Sequence, residues 1–233
     1  PVMNQAAKLR YMTGGQVTIP MVIRAPMGAG RRNAGQHSAC LEALFTHIPG
    51  LKVVCPSSAA DAKALIKASI RDNDPVIFLE HKLLYAKKEE VPDEEIVLPL
   101  GQANVLREGT DITILTWSRQ VYFVQEAAEK LAAEGISCEV IDLRTLGPLD
   151  WDTIKASVEK THNLLVVEEG VKRGGIGAEL TAQVIEELYD ELDSPVGRVA
   201  GLNICSPFSP PLEDVNFPQV ADSIAAVKRQ LNR

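Results

Sequence analysis

Short apolar segments alternate with longer amphipathic segments along most of this chain of 233 residues. The clearest apolar segment, residues 75–79, carries no polar side chain, which is typical of a central strand in a parallel sheet covered by helices on both faces. Amphipathic segments such as residues 120–133 have the spacing of a helix that buries one face. The alternation predicts an α/β fold in which crossovers connect parallel strands.

Apolar runs and helical spacing predict the individual elements. The predicted strands cover residues 19–24, 51–54, 75–79, 111–116, 137–142, 164–167 and 196–199, and the predicted helices cover 1–12, 37–47, 58–71, 120–133, 150–160, 176–192 and 217–231. Residues 87–99 are charged and interrupted by proline, which predicts a solvated linker. We therefore predict two domains with a parallel sheet each, residues 1–85 and 101–233, joined by a linker at 86–100.

The composition excludes some classes of protein. Lys and Arg number 24 and Asp and Glu number 31, so the formal net charge is −7, which argues against nucleic-acid binding as the main function. No apolar run approaches the length of a membrane span. The four cysteines form no CxxC pair, which favours reduced thiols in a cytosolic or organelle-matrix protein over a disulfide framework or a zinc site.

Residues 28–38 contain the densest cluster of chemically reactive types. Gly28 and Gly30 allow a close backbone approach, Arg31 and Arg32 can meet an anion, and His37 can transfer protons near neutral pH. The segment matches neither a phosphate-binding GxxxxGK[ST] loop nor a dinucleotide-binding GxGxxG motif. Composition alone leaves two interpretations open: a catalytic loop, or a surface loop with a polar turn.

Four other features carry weaker signals. Residues 71–75 offer carboxylates and carbonyls that suit a hard cation, although an ordinary polar turn is the more common explanation. Residues 174–177 are rich in glycine and could expose N–H groups to an anion, although such glycines more often serve tight turning and packing before a helix. Glu168 and Glu169 follow a predicted strand, where active groups often gather in open α/β sheets, although a solvated acidic pair is the more common explanation. The single histidines His47, His81 and His162 are interpreted as structural.

Several motifs in order along the chain resemble one family. They lie at residues 12–16, 20–26, 36–38, 48–54, 61–63, 70–76, 78–85, 140–146 and 174–179. Together they resemble the β subunit of the thiamine-diphosphate-dependent 2-oxo acid dehydrogenases, the decarboxylating component typified by pyruvate dehydrogenase. Residues 203–211 depart from the family pattern, which puts only that loop in doubt. Because residues 1–12 already have helical spacing and lack an initiator Met, we expect the chain to be a fragment that lacks an N-terminal segment.

The resemblance implies a fold, a reaction and partners. The first domain would be the later part of a thiamine pyrimidine-binding domain, and the second a transketolase C-terminal-like domain. The complete enzyme would decarboxylate a 2-oxo acid on thiamine diphosphate and pass the acyl group to a lipoyl group of the acyltransferase core. The β subunit would pair with an α subunit as an α₂β₂ heterotetramer. The α subunit would hold the diphosphate with Mg²⁺, and the fragment alone would be inactive.

The resemblance also implies site residues. His37 matches the family's QHS histidine, which is expected to act in proton transfer and in handling the lipoyl group. The family's activating glutamate would lie in the missing segment, so no residue of this chain inherits that role. A K⁺ ion is implied at five positions whose backbone carbonyls would coordinate it: Met21, Ser69, Ile70, Asp72 and Asp74.

Three alternatives remain open at this point. The substrate class could be acetoin or a branched-chain 2-oxo acid, because the residues that select the substrate lie largely outside this chain. The chain could instead be a non-catalytic interaction module. An electron-transfer or nucleotide-binding α/β protein is a more distant alternative, which the lack of a dinucleotide motif disfavours.

Overall fold

The computed structural model describes all 233 residues, which form nine strands in two sheets. The strands are β1 (Val22–Met27), β2 (Lys52–Val54), β3 (Val76–His81), β4 (Asn104–Arg107), β5 (Ile112–Thr116), β6 (Cys138–Asp142), β7 (Thr145–Gly147), β8 (Leu164–Val171) and β9 (Gly197–Gly201). The α-helices are α1 (Ala7–Met12), α2 (Ala34–His37), α3 (Glu42–Thr46), α4 (Ala59–Arg71), α5 (Gln120–Ala132), α6 (Trp151–Thr161), α7 (Ile176–Leu188), α8 (Pro210–Asn216) and α9 (Val220–Gln230). Three short helical turns complete the secondary structure: a π-turn at Val2–Ala6 and 3₁₀ turns at Leu84–Ala86 and Tyr189–Glu191.

The first sheet has the strand order β1-β3-β2-β7. Strands β1 and β2 both pair with β3 in parallel, as predicted for buried apolar strands. The fourth strand, β7, comes from beyond the predicted linker and pairs antiparallel with β2, with Val54 opposite Thr145. The second half of the chain therefore completes the sheet of the first half.

The second sheet has the strand order β4-β6-β5-β8-β9. Strands β6, β5, β8 and β9 are parallel, but β4 pairs antiparallel with β6. The predicted α/β class is confirmed, whereas the prediction of purely parallel sheets is wrong at one edge of each sheet. Both antiparallel strands are short, with three or four residues, and lie at sheet edges. Antiparallel pairing does not need the long crossover connection that joins two parallel strands, so an edge strand can take either direction.

The largest hydrophobic core is continuous between the two halves of the chain. It joins Ile77 and Leu79 of β3 to Leu115 of β5 and Leu143, all of them almost completely buried. Burial of a side chain of this size contributes about 1.5–3 kcal/mol. The sheets thus share a packed interior, which fixes the loops at their junction.

The prediction of one continuous helix over residues 37–47 is wrong. Helix α2 ends at His37 and α3 begins at Glu42, so the chain between them is not helical. The N–H of Gly28 donates to the carbonyl of Ala39 at 3.1 Å, which holds this segment in a loop. In contrast, α4 confirms the predicted helix over 58–71, with the Ser58 hydroxyl accepting the N–H of Asp61 as an N-cap.

Residues 87–103 contain no helix or strand, and most of their side chains are exposed. Leu98 and Leu100 nevertheless pack against the small core around Phe78, and the Glu89 carboxylate accepts the N–H of Ala59 and the hydroxyl of Tyr122. The predicted solvated linker is therefore attached to both halves of the chain. None of the helices combines the length and the hydropathy that a membrane crossing requires.

Candidate functional site: a buried carboxylate cluster beneath the His37 loop

The His37 loop comprises residues 28–41, between the end of β1 and the start of α3, and lies at the junction of the two sheets. His37 is the last residue of α2, and its side chain is exposed. Ser38, the next residue, is buried, and its hydroxyl has no hydrogen-bond partner. The His37 imidazole is therefore exposed to solvent on a loop whose base is packed into the protein. The catalytic role of His37 stays a prediction.

Two glycines allow this loop to lie against β3. Gly28 and Gly30 have φ values of +91° and +90°, a left-handed region that favours glycine. A Cβ at Gly28 would lie 2.1 Å from Nε2 of His81, and one at Gly30 would lie 2.5 Å from Cδ1 of Leu83. The sequence predicts a close backbone approach at both glycines, and the residues they approach are His81 and Leu83.

Glu169 lies at the centre of the contacts below the loop. Its side chain is 5% exposed, and Oε1 accepts the N–H of Ala29 at 2.7 Å. Both its carboxylate oxygens lie 3.0–3.1 Å from Nε2 of His81, and Arg119 Nη1 is 3.6 Å from Oε2. The Nδ1 atom of His81 accepts the N–H of Leu83 at 3.2 Å, so Nε2 carries the proton that His81 donates to Glu169.

The charge state of Glu169 follows from these partners. Burial acts to raise the pKa of this carboxyl, but the hydrogen bond from His81, the N–H of Ala29 and the Arg119 charge outweigh burial and lower it. Glu169 is therefore a carboxylate at neutral pH. The prediction that Glu168 and Glu169 form a solvated pair is wrong, because β8 continues to Val171 and carries both side chains into the junction of the sheets.

Glu168 points to a different set of partners. Its side chain is 2% exposed, and Oε1 accepts the N–H of Gly177 at 3.1 Å and lies 3.4 Å from Arg198 Nη2. Burial raises the pKa of Glu168 to about 7, against the opposing charge of Arg198. The first turn of α7 thus binds a carboxylate of the chain itself, and Gly177 leaves the space that the Glu168 side chain fills.

Glu42 completes a group of three buried glutamates. Its Oε1 accepts the indole N–H of Trp117 at 3.1 Å, whereas Oε2 has no partner. Burial raises the pKa of Glu42, and the charge of Glu169 adds to that effect. Cys40, half-buried, lies beside them with Sγ 3.7 Å from Glu169 Oε1, and burial holds the pKa of its thiol well above the ordinary value. Such a thiol is not a thiolate at neutral pH.

A fourth carboxylate, Glu213, reaches the same loop from α8. It is 1% exposed, and its Oε1 accepts the N–H of Gly30 at 3.1 Å. Its Oε2 accepts from Arg32 Nη1 at 2.8 Å, and Arg32 also pairs with the exposed Asp214 at 2.7 Å. Nothing in the local sequence around Glu213 indicates this contact, because its partners are 181 and 183 residues away in the chain.

The remaining single histidines lie apart from this cluster. His47 is exposed just after α3. His162 ends α6 in a left-handed conformation, and its Nδ1 is 2.9 Å from the carbonyl of Glu191. These contacts agree with the structural interpretation of His162. His81, by contrast, lies against Gly28 of the His37 loop and contacts Glu169, which the sequence did not indicate.

The five positions proposed to bind K⁺ lie near the end of α4 and the start of β1 and β3. The carbonyls of Met21 and Ser69 accept the N–H groups of Val76 and Asp72, at 2.8 and 3.3 Å. The side chain of Ile70 is exposed. No group of three or more His, Cys, Asp or Glu side chains is arranged to hold a metal ion.

The two carboxylates of this region already have cationic partners. Lys52 Nζ lies 2.6 Å from Asp72 and 3.3 Å from Asp74, and Arg10 lies 2.7 Å from Asp74. Burial acts to raise the pKa of Asp74, but Arg10 and Lys52 lower it. A cavity of about 670 Å³ opens beside these residues and does not reach the His37 loop.

Thiamine diphosphate requires a carboxylate that acts on its aminopyrimidine ring, as the resemblance implies. Glu42, Glu168 and Glu169 each accept hydrogen bonds from other residues of the chain, and none of them lines any of the five principal cavities. Glu42, Glu168 and Glu169 therefore do not fit the role of the activating residue.

Comparison with known families defines the class of protein. The transketolase pyrimidine-binding domain matches residues 2–88, and the transketolase C-terminal domain matches residues 101–222. A solved structure described as a split gene transketolase, inactive beta4 tetramer, superimposes with a TM-score of 0.76 at 26% identity, covering 97% of this chain and 72% of that one. The chain has the transketolase-type pair of domains.

Individual relatives narrow this class. The pyruvate dehydrogenase E1 component subunit beta-1 of Arabidopsis thaliana, a mitochondrial protein, is 49% identical over 100% of this chain. The corresponding subunit beta of Porphyra purpurea is 50% identical over 99% of it, and the acetoin:2,6-dichlorophenolindophenol oxidoreductase subunit beta of Cupriavidus necator is 49% identical over 99%. The chain spans 65%, 70% and 68% of these three proteins, respectively. It belongs to the family of thiamine-diphosphate-dependent E1 β subunits that pyruvate dehydrogenase typifies, as the sequence motifs predicted.

Proposed function

We propose that this chain acts within the β subunit of a 2-oxo acid dehydrogenase that oxidatively decarboxylates pyruvate and passes the acetyl group to a lipoyl group. The observation that carries the proposal is the identity of 49–50% over essentially the whole chain, through both domains, to β subunits of pyruvate dehydrogenase. Its partners would be an α subunit in an α₂β₂ heterotetramer and the lipoyl acyltransferase core. The compartment would be the bacterial cytoplasm or an organelle matrix.

Thiamine diphosphate would be shared between the two kinds of subunit. The cofactor supplies the carbanion chemistry of decarboxylation, and the protein supplies binding, orientation and proton transfer. The α subunit would hold the diphosphate through Mg²⁺, and the β subunit would face the aminopyrimidine ring. Glu42, Glu168 and Glu169 do not fit the activating role, and the family resemblance assigns that role to a residue outside residues 1–233.

Acetoin is the alternative substrate that a specific observation favours, because the Cupriavidus necator relative is as similar as the pyruvate dehydrogenase subunits. The full-length gene product, purified with its α partner, should be assayed with pyruvate, branched-chain 2-oxo acids and acetoin. We expect pyruvate to give the highest kcat/KM. Preference for acetoin or a branched-chain substrate would reassign the substrate, and no turnover of any of them would refute the enzymatic function.

A non-catalytic role is the second alternative. The transketolase with a similar structure is described as an inactive tetramer of β chains, so chains of this type can assemble without activity. If the full-length gene product binds its α partner stoichiometrically but the complex turns over no substrate, the interaction-module hypothesis gains support. Turnover that requires both subunits would contradict it.

His37 would be the catalytic residue of this chain. An exposed imidazole on a loop with a packed base can donate a proton to a leaving sulfur and remain accessible to a lipoyl domain. Because a general acid of this kind contributes about 10²–10⁴-fold, we expect His37→Ala in the heterotetramer to slow acetyl transfer to lipoyl at least 100-fold. Decarboxylation, followed with an artificial electron acceptor, should change only a few-fold.

The matched control for this experiment is His47→Ala, which removes another exposed imidazole outside the carboxylate cluster. The control should leave both rates within twofold of the unsubstituted enzyme. Acetyl transfer at the normal rate in the His37→Ala enzyme would contradict the proposed role.

A structural K⁺ ion would be held by backbone carbonyls at Met21, Ser69, Ile70, Asp72 and Asp74. What supports this proposal is the position of Ser69, Ile70 and Asp72 at the C-terminal end of α4, where a helix leaves carbonyls without the N–H partners of a following turn. The Ser69 carbonyl accepts one N–H there, from Asp72. Because Asp72 and Asp74 are paired with Lys52 and Arg10, the ion would depend on neutral carbonyls. Several carbonyl ligands favour K⁺ over Mg²⁺, which demands tight octahedral geometry and retains its water.

A further inference from the structure

The backbone of the His37 loop adopts conformations that require support from elsewhere. Arg32 and Ala34 have φ values of 60° and 55°, in the left-handed region that residues with a Cβ seldom adopt. Helix α2 has only four residues, and Asn33 makes no side-chain capping hydrogen bond to it. Strained backbone of this kind persists only where the surrounding structure determines it.

Two carboxylates provide that support by binding consecutive backbone amides. Glu169 accepts the N–H of Ala29 at 2.7 Å, and Glu213 accepts the N–H of Gly30 at 3.1 Å. Hydrogen bonds to an ionised acceptor are roughly twice as strong as neutral ones. Both carboxylates are almost fully buried, so their loss would leave the two amides without a partner in a dry environment.

The support extends from Gly30 to the strained residue Arg32. The Arg32 guanidinium donates to Glu213 at 2.8 Å and to the carbonyl of Pro210 at 3.0 Å. One carboxylate of α8 thus holds the loop backbone with one oxygen and the Arg32 side chain with the other. The base of the loop is closed separately by the bond from Gly28 N–H to Ala39.

Both carboxylates belong to the second half of the chain, whereas the loop belongs to the first. Glu169 lies 140 residues after Ala29, and Glu213 lies 183 residues after Gly30. The conformation of the His37 loop is therefore set by how the two halves pack together.

We propose that Glu169 and Glu213 are positioning residues that fix the His37 loop for acetyl transfer to lipoyl. This inference rests on the proposed function of His37. Neither glutamate is expected to touch the substrate, and each acts through the loop backbone. Glu213 is the better residue to test, because Glu169 also contacts His81 and Arg119.

The first experiment measures the loop itself, without reference to activity. Hydrogen exchange of peptides covering residues 28–36 should be at least tenfold faster in Glu213→Ala than in the unsubstituted chain, because the N–H of Gly30 loses its acceptor. Trypsin should also cleave faster after Arg31 and Arg32. Unchanged exchange and cleavage would overturn the proposal.

The control variant is Asp214→Ala, which removes the exposed partner of Arg32 but no acceptor of a backbone amide. Its exchange rates should stay within twofold of the unsubstituted chain. Equal acceleration by both variants would show that general weakening of α8, and not the Glu213 anchor, releases the loop, which would also overturn the proposal. If Glu213→Ala does not fold, Glu213→Gln replaces it, with a smaller increase expected because the amide oxygen still accepts the N–H of Gly30.

The second experiment measures the consequence in the full-length heterotetramer. Glu213→Ala should lower kcat for acetyl transfer to a lipoyl domain about tenfold, leave decarboxylation within twofold, and be partly rescued in Glu213→Gln. If His37→Ala impairs transfer but Glu213→Ala does not despite a released loop, the positioning role is refuted and the proposed function stands. If His37→Ala itself has no effect, the proposed role of His37 fails, and the positioning role fails with it.

Discussion

Replacement of Asp142 by asparagine should change how the stability of this protein depends on pH. Asp142 is completely buried at the end of β6, where its Oδ2 lies 2.5 Å from the Ser57 hydroxyl and its Oδ1 accepts the N–H of Arg144 at 3.0 Å. Burial raises the pKa of Asp142 to about 7 from an ordinary value of 3.8, and the bonds from Ser57 and Arg144 only partly oppose it. Asparagine has nearly the same shape and can form both hydrogen bonds.

The sign and the size of the effect follow from the two pKa values. Between pH 4 and pH 7 the unfolded chain releases the Asp142 proton and the folded chain keeps it, so rising pH destabilises the fold. A difference of about three pH units corresponds to about 4 kcal/mol, and above pH 7 the loss is complete. Asp142→Asn removes this titration, so its stability relative to the unsubstituted protein should rise by about 4 kcal/mol from pH 4 to pH 8.

Differential scanning calorimetry of both proteins across this pH range tests the reasoning. For a chain of this size the expected change in the Tm difference is about 8–16 °C, since 1 kcal/mol corresponds to about 2–4 °C. Asp111→Asn, which changes a half-buried carboxylate that accepts the N–H of Ser137, controls for the loss of one charge. A Tm difference between Asp142→Asn and the unsubstituted protein that stays constant from pH 4 to pH 8 would refute the reasoning.

Two further predictions concern the loop base and the ion. Gly28→Ala should destabilise the protein by about 3 kcal/mol or more, because its Cβ would enter the His81 ring, whereas Gly174→Ala, with a φ of +64° and open space around it, should cost only about 1–2 kcal/mol. Equal Tm losses in thermal melts would contradict this explanation. If K⁺ binds at the carbonyls of residues 69–74, the protein should melt at a higher temperature in KCl than in choline chloride of equal ionic strength. Identical melting would argue against the ion.

The sequence predicted the buried strands because their composition alone decides their environment. Residues 75–79 have no polar side chain, so β3 could only be interior. The edge strands β4 and β7 were missed, since three or four residues carry too little periodicity to indicate a strand or its direction. Pairing at an edge depends on which distant segment arrives there, and the local sequence does not contain that information.

The candidate site shows the same limit more sharply. Two consecutive glutamates normally lie in solvent, and the predicted strand before Glu168 and Glu169 is too weak a signal to indicate that they are buried. Their burial depends on partners from other segments, among them the N–H of Ala29 and the guanidinium of Arg198. The loop with His37 was identified because its glycine and arginine residues are chemically unusual together, whereas the carboxylates that hold it have no such local signal.

The strand β7 has a consequence for any attempt to separate the two halves of the chain. Residues 145–147 lie beyond the linker, yet they cover the main chain of Val53 and Val54 at the edge of the first sheet. A recombinant first domain that ends in the linker would expose this edge, and unpaired edges promote association between molecules. A protease cut within residues 86–100, by contrast, should leave two fragments that co-elute, because the strand and the shared core hold them without the covalent link.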